Sequence, residues 1–513
     1  MTREDLLDLM GEVDENEAAK ARTARPVRFP LRFLATAAAC LCVGAVGLFG
    51  LNRLGLLPGL GAAGGGGGAG DTYMSYAGPV FPLTVLEENS GLTAQRLLNF
   101  DFSLYAPEVE AQGRLASLVT DRYLLENPGA EDKTVTLCYP FAASLGSGLE
   151  EVPALTVNGT AAQTRLHIGP GSGNYLPAAG SDRQGETLNL AILSGWEDYQ
   201  ALMEAGSRDW AFAPLTLPDT PVTVYELSGL YCESSQKNAS LMLEYDLDMK
   251  KTTVLSYGFN AFRFETAETG GTAGTAQRSC GIPTPGQPDY GESVYLIVVG
   301  EDISAPQLTA WSHAGGSGKQ PLTDAGATLT RYESTLGEML LRIAGQYRSG
   351  ADTILYGDGG STILSLCSES DFAALCARLL LGYGTLAGDG MDRYDVGMLE
   401  EICADTRSID RVLYLTAEIT VPAGQTVEVT AAMKKPASID FHGKNKYRNG
   451  YDLVTTLGSD LTFTGQEASL SGWEYIELLR QDFGFDPEQG ITRVPLDTAR
   501  PHYAMDVRRK AAD

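Results

Sequence analysis

Residues 411–433 read RVLYLTAEITVPAGQTVEVTAAM. Two runs rich in β-branched and apolar residues flank Pro422-Ala423-Gly424, so the stretch reads as strand, turn, strand. The same pattern recurs upstream. In KTVTLCYPF (133–141), Val135, Leu137 and Tyr139 alternate with Thr134, Thr136 and Cys138, as a half-buried strand requires. It follows SLVTDRYLLENPGAED (117–132), a strand ending in Asn127, Pro128 and Gly129, and the pair is expected to form a β-hairpin. LTVNGTAAQTRLHIG (155–169) is interrupted at Asn158-Gly159, the dipeptide best suited to a tight hairpin turn. VTVYEL (222–227), TTVLSYGF (252–259) and VYLIVV (294–299) are further strands. Short strands spaced in this way suggest β-sandwich modules.

Between residues 328 and 408 the period lengthens. Tyr332, Leu336, Leu340, Ile343 and Tyr347 mark a helix that Thr330-x-x-Glu333 would cap. Phe372, Leu375, Leu379 and Leu380 mark a second helix after Ser370, and a third falls around Met398 to Cys403. One tetrapeptide occurs twice, at Ser194-Gly195-Trp196-Glu197 and Ser471-Gly472-Trp473-Glu474. In both places its Ser-x-x-Glu is expected to start an amphipathic helix, and the repetition raises the idea of two related modules.

The N-terminal part has a different character. FLATAAACLCVGAVGLFGL (33–51) is nineteen residues without a charge; as a helix it spans about 28 Å, close to the hydrocarbon thickness of a bilayer. Lys20, Arg22, Arg25, Arg28 and Arg32 precede it with no acid between them, which places that flank on the cytoplasmic side. Ala37-Ala38-Ala39 before Cys40 loosely resembles a lipobox, and Gly61-Ala62-Ala63 would suit a signal peptidase. The long leader and the length of the apolar run favour an uncleaved anchor over both. The glycines at 64–68 read as a flexible tether.

The chain has 513 residues and a formal charge of −27. Residues 1–32 hold six basic and seven acidic side chains and residues 33–70 only Arg53, leaving 31 basic and 58 acidic groups for residues 71–513. A polyanion of that kind repels phosphate backbones, so nucleic acid is not an expected partner. Cys40 and Cys42 lie in the apolar run; Cys138, Cys232, Cys280, Cys367, Cys376 and Cys403 are scattered, with no Cys-x-x-Cys pair for a zinc ribbon or a thioredoxin-type site. Free buried thiols are favoured over disulfides.

Motifs for chemistry are sparse. His167, His313, His442 and His502 lack any His-Glu-x-x-His spacing. HAGGSGKQ (313–320) misses the phosphate-loop pattern at its first and last positions, and Ser234-x-x-Lys237 lacks a Lys-Thr-Gly partner. In GDGMDRYD (388–395), Asp389, Asp392 and Asp395 are three apart, whereas a calcium loop wants acids at alternate positions and glycine where Tyr394 stands. A solvated turn is favoured there, with calcium the competing reading. No catalytic residue or cofactor is implied.

In the leader, Thr2-x-x-Asp5 resembles a capping box, and Leu6, Leu9, Met10 and Val13 form an apolar stripe suited either to a cytoplasmic protein partner or to lying beside the membrane. With Leu6, Leu7, Asp8, Met10, Gly11, Val13 and Asp14 ahead of basic residues and a single span, this head resembles the anti-sigma-like heads of uncharacterised single-pass membrane proteins of anaerobic Gram-positive bacteria. The outer region is similar in style to secreted β-sandwich proteins of the same bacteria.

The expected fold class is mainly β with helical insertions (α+β), an N-terminal single transmembrane helix being followed by β-sandwich-like extracytoplasmic modules. The divisions are a cytoplasmic head (1–32), the transmembrane helix (33–54), a Gly-rich tether (55–71), a β-rich module with the SGWE helix (72–225), a β-rich segment (226–327), a helical insertion (328–410) and a C-terminal β-rich module (411–513). The expected function is binding or sensing of an extracytoplasmic ligand by an integral membrane protein, with a surface hydrolase of wall carbohydrate or peptide and a structural envelope protein as alternatives.

Overall fold

The computed structural model describes residues 73–109, 115–171, 193, 195–233, 239–266, 271–282, 293–312, 320–356, 361–382, 386, 398–440 and 445–510. These are mainly β. The expected span at 33–54, the head and the tether lie outside the described residues; among the described residues no helix is long and apolar enough to cross a membrane.

The strands Arg411–Val421 and Thr426–Pro436 both form, but they enter different sheets. Arg411–Val421 lies in a four-stranded sheet between Lys133–Ala143 and Arg165–Gly171, with Thr84–Val85 at the far edge. Thr426–Pro436 lies in a seven-stranded sheet beside Ala116–Glu126, which in turn neighbours Thr93–Asp101 and, beyond it, Thr462–Ser471. The two sheets share one core, filled by Leu98, Val119, Tyr123 and Val429 from one side and Leu137, Tyr139, Leu413 and Leu415 from the other.

This arrangement corrects the expected hairpin at 117–141. Ala116–Glu126 pairs with Thr426–Pro436, and Lys133–Ala143 pairs with Arg411–Val421, both antiparallel. Each connection is therefore an arch that carries the chain from one sheet to the other, and the two arches hold each other. The fully buried Asn127 donates from Nδ2 to Val421 O at 2.9 Å and to Glu131 O at 2.8 Å. Gly424, at φ 64, donates its N–H to Asn127 O at 2.9 Å. By contrast, Asn158-Gly159 does form the tight hairpin its sequence announces, with both residues at positive φ (48 and 77).

Because strands of 72–225 and 411–513 alternate within both sheets, these two segments interleave in space. Residues between them build a second pair of facing sheets. One has four strands (Thr252–Tyr257, Val294–Gly300, Pro221–Cys232, Ala325–Thr335) and the other five, centred on Ser240–Asp248. Leu227, Leu243, Tyr245 and Leu296 fill the space between them. The other face of the four-stranded member, through Val224, Leu255 and Ile297, joins the main core together with the helices Leu336–Tyr356, Glu369–Gly382 and Leu399–Ser408.

Three helix expectations change in detail. The first helix starts at Leu336, not near Tyr332, because Thr330–Thr335 continue a strand whose main chain pairs with Pro221–Glu226. Its capping box is Thr335 with Glu338: Glu338 N donates to Thr335 Oγ1 at 3.2 Å and Thr335 N to Glu338 Oε2 at 3.3 Å. The second helix starts at Glu369, not after Ser370, and Ser368 Oγ accepts from Asp371 N at 3.0 Å. Trp196–Glu204 is a helix as expected, but the second SGWE leads into a single 3-10 turn, Trp473–Tyr475, and then the strand Ile476–Gln481. The glycines differ too: Gly195 is extended at φ −156, whereas Gly472 is left-handed at φ 64, where a Cβ would stand 2.6 Å from Ser103 N. One tetrapeptide thus serves two backbones.

Candidate functional site

A polar groove of about 270 Å³ opens where strands of both main sheets end. Ala116 begins one strand, Ala142 and Ala143 end another, and their small side chains leave the space. Around it stand Ser147, Glu150 and Glu151 from the one-turn helix Leu149–Glu151 and its approach, Asp410 ahead of its strand, Lys434 and the two tyrosines Tyr76 and Tyr199. Three carboxylates face one ammonium, so the groove is acidic like the body that carries it.

Lys434 Nζ lies 3.3 Å from Glu150 Oε1, with both side chains partly exposed. A hydrogen bond from its own main-chain N–H, with help from Lys434, holds the Glu150 carboxyl below its ordinary range. Glu150 is therefore ionised at neutral pH and presents acceptors only. The arrangement suits a cationic or hydroxyl-rich ligand.

Tyr76 belongs to a strap, residues 73–77, that runs from the groove across the three-stranded sheet Asn449–Val454, His502–Arg509 and Ile476–Gln481. Ser75 and Ile439 exchange main-chain hydrogen bonds at 3.0 and 2.9 Å, and Lys435 Nζ donates to Ala77 O at 2.7 Å. The tyrosine hydroxyls reach two buried carboxylates: Tyr76 donates to Asp452 and Tyr73 to Asp506. Gly450 makes this close approach possible, since a Cβ there would stand 2.4 Å from the Tyr73 hydroxyl.

Asp452 and Asp506 lie on the same face of adjacent strands, Gly450 being opposite Asp506 and Asp452 opposite Ala504. Arg480 Nε is 3.1 Å and Arg448 Nη1 3.4 Å from Asp506 Oδ2. His502 Nε2 is 3.6 Å from Asp452 Oδ2, and its ring stacks on Trp196 with centroids 4.8 Å apart. Burial and the adjacent carboxylates push both phenols up from the ordinary tyrosine range, so they remain proton donors. This is an acidic pair, but tyrosines and arginines already engage it, and its chemistry is to clamp the strap.

A second buried polar group joins the main sheets. Arg96 and Asp121, both fully buried, pair through Nε–Oδ1 at 2.9 Å and Nη2–Oδ2 at 2.8 Å. Tyr123 and Tyr139 donate to the same carboxylate at 2.6 and 3.0 Å. Every strong partner is supplied from within the protein, which makes this network structural.

The residues singled out by motif fall elsewhere. Leu6, Leu9, Met10 and Val13, the aspartates Asp389, Asp392 and Asp395, His313 and residues 314–319, His442, and Ser234 with Lys237 lie outside the described residues. His167 stacks on Phe212 at 4.1 Å, with Nε2 3.0 Å from Thr416 Oγ1; desolvation lowers its pKa. Among the described residues no group of His, Cys, Asp and Glu is arranged to hold a metal ion. The six cysteines of the described residues are all buried. The groove residues carried no motif, because they come from six separate stretches of chain. No protein-family model matches the sequence, and no curated protein matches it.

Proposed function

We propose that the chain is a membrane-anchored extracytoplasmic binding or sensor protein whose groove takes a cationic or hydroxyl-rich ligand. In this reading residues 1–32 are a cytoplasmic head, 33–54 the span and 55–71 the tether, and the β-sandwich-like body stands outside the cell. The observation that carries it is the position of Tyr76, which lines the groove and belongs to the strap that directly follows the tether in sequence. A ligand in the groove touches the first described residues beyond the anchor, so occupancy bears on the segment through which a signal would pass. The head's stripe, Leu6, Leu9, Met10 and Val13, is the proposed contact for a cytoplasmic partner.

Hydrolysis is the weaker reading. A glycosidase-type site needs one carboxyl held protonated opposite another, whereas Glu150 is held ionised and the Asp452–Asp506 pair is occupied by tyrosines and arginines.

Binding to the full chain in detergent provides the test, with spermidine as the cationic probe and a soluble N-acetylglucosamine oligomer as the hydroxyl-rich one. At least one probe should bind, and Glu150→Gln combined with Asp410→Asn should weaken it about tenfold or more, which corresponds to roughly 1.4 kcal/mol. Equal affinity in the variant would remove the groove from the account, and turnover of the oligomer would favour the hydrolase.

A further inference from the structure

The helices Glu369–Gly382 and Leu399–Ser408 pack side by side and bring two cysteines into contact. Cys376 and Cys403 are each 1% exposed, and their sulfurs lie 3.9 Å apart across the helix interface. A disulfide needs about 2.05 Å between sulfurs. The sulfurs must close by about 1.9 Å between two helices already in contact. The surroundings are apolar, with Phe372, Leu375 and Ile402 in the same core, and Arg411 is within electrostatic reach of Cys376.

We infer that Cys376 and Cys403 are a disulfide-forming pair that staples the two helices together. The pair is 27 positions apart in sequence, so the bond would close a loop that carries Asp389, Asp392 and Asp395. The chemistry balances with a small disulfide as oxidant. The Cys376 thiolate attacks one of its sulfurs and expels a thiolate, giving a mixed disulfide; the Cys403 thiolate then attacks the Cys376 sulfur and expels the second. The protein loses two electrons and two protons, and one disulfide becomes two thiols. Because both groups are buried in the finished fold, the bond forms while the helices dock. The inference stands on helix packing rather than on the groove or the side of the membrane, so it and the binding reading fail separately.

The test is synthesis of the full chain in vitro, in detergent, in glutathione buffers that are either oxidising or reducing, followed by alkylation, digestion and mass spectrometry. Oxidant is then present before burial. A peptide cross-linked between Cys376 and Cys403 should appear in more than about half of the chains made in oxidising buffer and vanish in reducing buffer. Cys367→Ser should keep it. Cys376→Ala and Cys403→Ala should each abolish it, and the oxidised wild type should melt roughly 2 °C or more above the reduced form. Alkylation of both thiols in the oxidised sample, a bond from Cys376 to Cys367 instead, or a cross-link that lowers the melting temperature would overturn the inference; the wild-type measurement decides even if a variant fails to fold.

Discussion

Burial works against Glu400. Its Oε1 accepts the Gly258 N–H, its Oε2 is buried without a hydrogen-bond partner, and desolvation pushes its pKa up from 4.5 to about 7. Arg278 opposes the shift and Glu401 adds to it, both by less than burial. Between those two values the folded chain binds the proton more tightly than the unfolded chain, so stability falls as pH rises from about 4.5 to about 7. Glu400→Gln keeps an acceptor for Gly258 and removes the buried charge. Urea unfolding should show the variant more stable than the wild type at pH 8, by at most about 3 kcal/mol, and little changed at pH 5. A variant that is no more stable at pH 8 would mean that Glu400 is solvated.

At the scale of elements, the start of the helix Leu336–Tyr356 shows what alternation and period can and cannot reveal. Tyr332, Leu336 and Leu340 keep helical spacing across a boundary where the chain is still strand, because the partner strand Pro221–Cys232 claims the main chain up to Thr335. The cap prediction follows directly. Thr335→Ala should cost about 1 kcal/mol in denaturant unfolding, and Thr330→Ala, in mid-strand, less than about half of that. Equal costs would place the cap wrongly.

The same distinction runs through the sheets. Lys133–Ala143 alternates only at its start and is buried on both faces from Leu137 on, Cys138 included, whereas alternation in Thr426–Pro436 was legible, because that strand buries one face and the pattern is local. Their partners were not, since a short connection can fold back as a hairpin or cross to a facing sheet, and Asn127 decides between these through contacts with Val421 and Gly424, far away in sequence. The groove was illegible for a related reason: Ala116, Ala142 and Ala143 matter for the side chains they lack, and Glu150, Asp410 and Lys434 meet only after both sheets are built. Arg96 sits at an inward position of its strand, where alternation calls for an apolar residue, and Asp121 on the neighbouring strand explains it together with the Val454 and Phe81 carbonyls that accept from it.

For the whole molecule, the interleaving of residues from both ends of the body has a mechanical consequence. The strap at 73–77 is held by Asp440, Ser438, Asp452 and Asp506, partners more than 360 positions further along the chain. In the proposed topology, a pull reaching this strap from the tether would be carried into the three-stranded sheet and the groove beside it. All of this matters to a cell only if the body faces outward. Protease shaving of intact cells that express the full chain, read by mass spectrometry, measures this directly. Peptides from residues 73–510 should be released while those from residues 1–32 stay protected until the cells are opened. Protection of residues 73–510 with release of the head would contradict the proposed topology.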